Sequence, residues 1–165
     1  MAFEPLPELH AELVGRFPDV EVRRAALADR AGESSFVHVR SAPGYSGLHG
    51  RSYPRPQELE RITVAVERLD DVLDPDVRRE LTKIDVEGVE LGVLTGALAT
   101  FRRDRPAIWF EHSQDAAEAY DTRPEDVYDP ADRRVGMRIF DADGSGPYSR
   151  ERFHAGGRMW TWLAR

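Results

Sequence analysis

Apolar and polar residues alternate along the chain in two ways, which predict strands and helices in turn. Strands are predicted where apolar residues occupy every second position or form short runs, at 2–4, 20–28, 35–39, 62–66, 81–84, 107–110, 137–140 and 158–163. Helices are predicted where apolar residues recur at every third or fourth position, at 6–13, 69–73, 91–101 and 127–135. This succession is typical of an α/β domain built on a doubly wound sheet.

Two stretches depart from the alternation of strands and helices. The connection between the last two predicted strands lacks a full helical pattern, so these strands are predicted to form an antiparallel pair. Residues 41–56 carry three glycines and three prolines, which predict a long irregular loop. Because such a loop is long for a compact domain, its length favours a functional role over a plain connection.

The composition narrows the classes of function. The 165 residues suit one domain spanning 1–165, with enough apolar residues for one core. Acidic residues outnumber basic ones by 30 to 23 and the basic residues are scattered, so no nucleic-acid partner is expected. The absence of cysteine excludes disulfides, thiolate metal sites and cysteine nucleophiles. No apolar run approaches the ~20 residues that span a bilayer, and a reducing, cytoplasmic compartment is predicted.

Four of the predicted strands end in acidic residues. These are Glu4, Asp29, Asp85 with Glu87 close behind it, and Glu111, which His112 follows. Ligands of open α/β sheets bind beyond the carboxyl ends of the strands, where a carboxylate can accept hydrogen bonds from both hydroxyls of a ribose. Glu4 suits that role. Each acid also has a structural interpretation, since Glu4 and Glu87 can favour the start of the next helix and Asp29 can serve a turn.

Several blocks of the sequence resemble the FkbM methyltransferase domain. The most specific block is Lys83-Ile84-Asp85-Val86-Glu87-Gly88, followed by Glu90, Leu94, Gly96 and Ala97. The weaker blocks are Ala2-Phe3-Glu4-Pro5, Val22 with 25–29, 68–73, Arg105-Pro106, Phe110-Glu111-His112 and Trp162-Leu163-Ala164. They occur in the order of the family and cover nearly the whole chain.

The resemblance implies a class I S-adenosylmethionine-dependent enzyme with a Rossmann-like fold, a mostly parallel sheet and an antiparallel C-terminal strand pair. Enzymes of this family usually methylate a hydroxyl oxygen of a natural product or saccharide, so the implied partner is a small hydroxylated acceptor. By position, Glu4 would hold the ribose of the cofactor and Asp29 would lie near its adenine. Asp85 would face the methyl group and the acceptor.

The resemblance also suggests which residues act on the acceptor. Methyl transfer is an in-line displacement that depends mainly on positioning and needs a base only for the hydroxyl proton. The candidate bases are Asp85 and His112, although His112 can instead be structural. The candidates for binding the acceptor are Tyr45, His49, Glu87 and Glu111. Tyr45 and His49 lie in the 41–56 loop with Ser46 and Arg51, and this loop can equally be a solvated surface. Carboxylates and imidazole suit Mg²⁺ or Mn²⁺, but no ligand spacing supports a metal and none is predicted.

The family pattern begins with a strand and a glycine-rich turn that this sequence lacks, so the fold is expected to be N-terminally truncated. In the family that strand lies between the strands that end here in Glu4 and Asp85. Those two strands are therefore expected to pair directly or to leave unpaired edges, which invite association into a homodimer. Three alternatives remain: a gene start assigned at an internal valine codon, an inactive fragment or subunit that needs a partner, and a nicotinamide-binding dehydrogenase.

Overall fold

The computed structural model describes residues 1–112, 114–155 and 161–165. Its strands are β1 Ala2–Phe3, β2 Val22–Arg23, β3 Ala26–Leu27, β4 Gly32–Val39, β5 Leu59–Glu67, β6 Leu81–Ile84, β7 Ala107–Glu111, β8 Ile139–Asp141 and β9 Thr161–Ala164. Its α-helices are α1 Pro7–Arg16, α2 Leu69–Val72, α3 Glu90–Gly96, α4 Leu98–Asp104, α5 Gln114–Ala117, α6 Pro124–Asp129 and α7 Arg150–Ala155. Short 3₁₀ turns form at Pro43–Tyr45 and Glu118–Tyr120, and a π-helical segment forms at Pro130–Val135. The mixed α/β class predicted from the sequence is confirmed.

The described strands form three sheets rather than one. The first pairs β1 with β2, the second has the order β3-β5-β4, and the third has the order β6-β7-β9-β8. The antiparallel pair at the C-terminal end is confirmed, since Ile139 of β8 lies opposite Ala164 of β9. The expectation of a mostly parallel arrangement is corrected. Three of the described pairs are parallel and three are antiparallel, because β4 runs back along β5 and β9 inserts between β7 and β8.

Two predicted elements are divided in the structure. The strand predicted at 20–28 is interrupted at Arg24, and its halves β2 and β3 join different sheets. The helix predicted at 91–101 is interrupted at Ala97. The Asp70 carboxylate accepts the backbone N–H groups of Ala99 and Thr100 at 2.9 and 2.8 Å, so α4 starts as a separately capped helix.

The C-terminal connection is predicted to lack a full crossover helix. Its described residues contain one short helix, the six-residue α7, whose Phe153 is buried. The Phe153 ring lies 4.4 Å from that of Trp162 on β9 and 5.6 Å from that of Tyr128 on α6. The last strand was predicted at 158–163. Residues 158–160 lie outside the described residues, and β9 covers the rest of that prediction.

The apolar residues in the described part of the chain form two cores. The larger core lies between the β6-β7-β9-β8 sheet and helices α3, α4, α6 and α7, and includes Ile84, Leu94, Phe101, Phe110 and Trp162. The smaller core lies beside β3, β4 and β5 and consists of Leu6, Ala26, Phe36, Val64 and Val66. No helix in the described part of the chain has the length and apolar character needed to cross a bilayer.

Candidate active site

The turn that follows β6 is held by a close approach of two backbones. Glu87 and Gly88 both adopt positive φ angles, 55° and 109°. A Cβ atom at Gly88 would lie 2.4 Å from the carbonyl oxygen of Ala116, so only glycine fits there. The Gly88 N–H donates to Glu90 Oε1 at 2.8 Å at the start of α3. This turn fixes the carboxylates of Asp85 and Glu87 at the end of the strand.

Two cavities meet at this turn. The first, which we call the edge cavity, has a volume of about 620 Å³ and is lined by residues 1–6 and 81–87 among others. The second, the loop cavity, has a volume of about 470 Å³ and is lined by Tyr45, Arg51, Ser52, Tyr53, Pro54, Asp85, Glu87, Gly88, Glu90, Glu111, His112 and Ala116. Asp85 and Glu87 line both cavities. Both volumes lie in the range of small-molecule sites.

The predicted site residues at the ends of β6 and β7 lie together. Asp85, Glu87, Glu111 and His112 all line the loop cavity, as the common edge of β6 and β7 requires. Lys83 Nζ lies 2.6 Å from Asp85 Oδ2 and 3.8 Å from Glu111 Oε1. The lysine therefore partly neutralises the two carboxylates that flank it.

Glu87 forms an ion pair with Arg51 across the loop cavity. Arg51 Nη2 lies 2.6 Å from Glu87 Oε2, and the side chains are 11% and 25% exposed. Burial nevertheless raises the pKa of Glu87 to about 7, because Arg51 offsets only part of the desolvation and the neighbouring carboxylates Asp85, Glu90 and Glu111 oppose ionisation further. Glu87 can thus exchange a proton near neutral pH.

His112 is buried beside a carboxylate that the sequence analysis did not select. Its Nδ1 atom lies 3.3 Å from Glu90 Oε2, and the two residues are 6% and 2% exposed. Glu90 belongs to the block that resembles the FkbM family, but it lies in the first turn of α3, where the helix dipole alone accounts for an acid, so it was not chosen as a site residue.

Three residues that line the loop cavity each have a buried polar atom with no hydrogen-bond partner among the described residues. These atoms are Arg51 Nε, Tyr53 Oη and His112 Nε2. Buried polar atoms in proteins are nearly always paired, so these three atoms are candidates to bind a polar ligand or an ordered water. Tyr53 is a residue that the sequence analysis missed, since nothing in the 41–56 loop distinguishes it from its neighbours.

The other candidates from the 41–56 loop have different surroundings. Tyr45 lines the loop cavity, and the Arg51 guanidinium lies 4.9 Å from the centre of its ring. His49 lines neither cavity. Its ring stacks on Tyr120 at 4.5 Å, and the His49 N–H donates to Tyr120 Oη at 3.0 Å. His49 therefore anchors the loop, while Ser46 accepts the Val39 N–H through its hydroxyl at 2.9 Å.

The two remaining candidates for cofactor binding are placed differently. Glu4 lines the edge cavity, where burial raises its pKa, and its Oε1 atom accepts the Leu6 N–H at 2.8 Å at the start of α1. It therefore has the structural role considered for it and also a position on the cavity wall. Asp29 is exposed and lines neither cavity. Within the described residues, no group of three or more histidine, aspartate or glutamate side chains is arranged so that it could hold a metal ion.

Comparison with known proteins extends this description. The sequence profile of the Methyltransferase FkbM domain matches residues 1–141. The crystal structure of Methyltransferase FkbM from Methylobacillus flagellatus KT resembles this chain with a TM-score of 0.51 and 17% identity, over 98% of this chain and 35% of that one. At that identity the likeness concerns the fold, and this chain spans about a third of that protein's length. No curated protein sequence matches the chain. Because the profile match extends over most of the 165 residues, the chain belongs to the FkbM methyltransferase family.

Proposed function

We propose that this chain is an S-adenosylmethionine-dependent methyltransferase that methylates a hydroxyl oxygen of a small molecule such as a natural product or saccharide. The observation that carries the proposal is the pair of cavities that share Asp85 and Glu87. A cofactor in the edge cavity and an acceptor in the loop cavity would meet at this turn, which follows the carboxyl end of β6, where ligands of α/β sheets bind. The expected cytoplasmic location stays a prediction.

The lining of the edge cavity suits the cofactor. Glu4 offers a carboxylate at the end of β1. Its Oε2 atom, which does not accept the Leu6 N–H, can accept hydrogen bonds from ribose hydroxyls. Asp85 offers a second carboxylate at the end of β6, and side chains such as Leu27, Leu69 and Val93 supply apolar contacts. Asp29 does not line the edge cavity, so its predicted role near the adenine would require the adenine to extend beyond the wall of that cavity.

The lining of the loop cavity suits a hydroxylated acceptor. Arg51 Nε can donate a hydrogen bond, His112 Nε2 and Tyr53 Oη can accept one, and each lacks a partner in the described structure. An acceptor with several hydroxyl groups would satisfy these atoms together. An apolar acceptor would leave them buried and unpaired, which costs about 1–3 kcal/mol for each group.

The chemistry requires positioning and one proton acceptor. When bound, S-adenosylmethionine supplies an electrophilic methyl group, and an oxygen–carbon bond forms as the carbon–sulfur bond breaks. The residues of the chain hold the acceptor oxygen in line and take up its proton. His112, Asp85 and Glu87 all lie at the loop cavity, and Glu87 has a pKa near neutrality.

Calorimetric titration of S-adenosylhomocysteine into the 165-residue chain tests the cofactor part of the proposal. The wild type is expected to bind, and Asp85→Asn is expected to bind at least tenfold more weakly because a carboxylate that lines both cavities is neutralised. The matched control is Asp76→Asn at an exposed position that lines neither cavity. NAD⁺ should give no heat, and binding of NAD⁺ instead of S-adenosylhomocysteine would favour a dehydrogenase.

A second candidate function rests on the unpaired strand edges. Within the described residues, β1 pairs only with β2 and β6 only with β7, and both strands line the edge cavity. Met1 and Leu81, at this edge, are 51% and 67% exposed. We propose as the alternative that the chain is a subunit that completes its sheet with a partner strand or with a second copy of itself. A monomer that does not bind S-adenosylhomocysteine, together with an oligomer that does, would favour this alternative.

A further inference from the structure

The buried Glu90 carboxylate has a nitrogen atom as a polar neighbour at each oxygen. Its Oε1 atom accepts the Gly88 N–H at 2.8 Å, and its Oε2 atom lies 3.3 Å from His112 Nδ1. Burial of an ionised carboxylate is costly unless it is hydrogen-bonded or paired, and Glu90 is only 2% exposed. The backbone turn and the histidine ring together compensate this burial.

The contact with Glu90 determines which ring nitrogen of His112 carries the proton. An ionised carboxylate only accepts hydrogen bonds, so a neutral imidazole beside it donates from Nδ1 and leaves the lone pair on Nε2. This Nε2 atom is buried and has no partner among the described residues, and His112 lines the loop cavity. A nitrogen lone pair at an unfilled polar position is suited to accept a proton from a ligand.

Among the residues that the structure describes, the other surroundings of His112 offer no competing partner for Nε2. Helix α7 contributes the Phe153 ring, which lies 6.0 Å away and nearly parallel to the imidazole. Apart from Glu90, the charged side chains that line the loop cavity are Arg51, Asp85, Glu87 and Glu111. Arg51 pairs with Glu87, and both Asp85 and Glu111 face Lys83. Tyr120 is close enough to Glu90 for an electrostatic interaction. Its hydroxyl contacts the 41–56 loop, where it accepts the His49 N–H.

We infer that Glu90 is a positioning residue that holds His112 as its Nδ1–H tautomer, with Nε2 free to take the proton of the acceptor hydroxyl. This inference rests on the proposed methyltransferase function for the identity of the proton donor. As the acceptor oxygen bonds to the methyl carbon, its O–H bond breaks and the proton passes to Nε2. The imidazolium that forms is stabilised by the Glu90 carboxylate. The arrangement is that of a general base oriented by an acid.

The test is the tautomer of His112 in the ¹⁵N-labelled chain, measured by long-range ¹H–¹⁵N NMR. The chain has five histidines, and the His112→Gln variant identifies the signals of this one. In the wild type at neutral pH, the spectrum is expected to show Nδ1–H with an unprotonated Nε2. An Nε2–H tautomer or a doubly protonated ring in the wild type would overturn the inference without any substitution at Glu90.

The Glu90→Gln variant gives the second readout. The side-chain oxygen of the glutamine can still accept the Gly88 N–H, and its NH₂ group then faces His112 Nδ1. Because an NH₂ group only donates, Nδ1 must accept, so the ring is expected to convert to the Nε2–H tautomer. Glu87→Gln is the matched control, since Glu87 lies in the same turn without a hydrogen bond to His112, and should leave the tautomer unchanged. An unchanged tautomer in folded Glu90→Gln, or the same conversion in both variants, would contradict a specific role of Glu90.

Titration of S-adenosylhomocysteine into the same samples separates this inference from the proposed function. Binding with His112 in the Nε2–H form would retain the methyltransferase proposal and refute the role of Glu90. If His112 is in the Nδ1–H form and S-adenosylhomocysteine does not bind, Glu90 does orient His112, but the proposed methyltransferase function is contradicted. Both results together support the oriented base.

Discussion

At the scale of single residues, Glu87 makes the stability of the protein depend on pH. Its folded-state pKa is about 7 against an ordinary value of 4.5, so between these values the folded chain holds a proton that the unfolded chain has released. Stability contributed by this group is therefore present at low pH and lost as pH rises through that window. Relative to Glu87→Gln, the wild type is expected to lose roughly 2 kcal/mol of unfolding free energy across the window.

Urea unfolding at several pH values between 4.5 and 7 measures this difference. Glu12→Gln is a suitable control, because Glu12 is exposed on α1 and lines neither cavity. Its profile should run parallel to that of the wild type. Parallel profiles for Glu87→Gln and the wild type would mean that the Arg51 ion pair outweighs burial and that Glu87 stays ionised.

The residues of the site were predictable to the extent that they follow strands. Asp85, Glu87, Glu111 and His112 were selected because they end or follow β6 and β7, and the parallel pairing of these strands brings them to one cavity. Glu90 was not selected, because an acid in a first helical turn has a sufficient local explanation. Contacts of the loop, such as His49 on Tyr120, join residues far apart in sequence and leave no periodic signal.

At the scale of elements, the turn between β6 and α3 depends on Gly88. A side chain there meets the Ala116 carbonyl at 2.4 Å and also requires a positive φ, so Gly88→Ala is expected to cost on the order of 3 kcal/mol of unfolding free energy. Gly144→Ala isolates the backbone contribution, because Gly144 has a φ of 88° with no neighbouring atom within 4 Å. This control should cost only about 1 kcal/mol. Equal losses of unfolding free energy in Gly88→Ala and Gly144→Ala would mean that α5 can move away from the new side chain without cost.

The division between α3 and α4 depends on a side chain from α2. Asp70→Ala removes the acceptor for the Ala99 and Thr100 N–H groups, and is expected to lower the unfolding free energy by about 1 kcal/mol. Asp71→Ala removes only an exposed contact with Arg68, so denaturant unfolding should show a change within about 0.5 kcal/mol. A cost for Asp71→Ala as large as that for Asp70→Ala would indicate a helix-dipole effect instead of capping.

At the scale of the whole molecule, the sequence predicts the order of elements better than their partition into sheets. Periodicity is local, so strands such as β5 and β6 were found near their observed positions. Sheet membership depends on pairing between distant segments, as in β1 with β2 and β7 with β9, which no local pattern encodes. The same limit applies to the edge cavity, because its walls are strands that lie far apart in sequence.

In the part of the chain that the structure describes, β1 and β6 each have an unpaired edge, which leads to a prediction about assembly. An exposed strand edge with a large apolar side chain favours pairing with another chain, and a charged side chain on the edge opposes it. Leu81→Lys is therefore expected to lower the average mass of the protein in sedimentation velocity, if wild-type chains associate through this edge as concentration rises. Val77→Lys is the matched control, because Val77 is an exposed apolar residue that lies outside the strands and is not part of the edge-cavity lining. Equal association of Leu81→Lys and the wild type would exclude the β6 edge as the contact. A wild type that stays monomeric at all concentrations would exclude self-association, so the subunit alternative would then require a strand from a different protein.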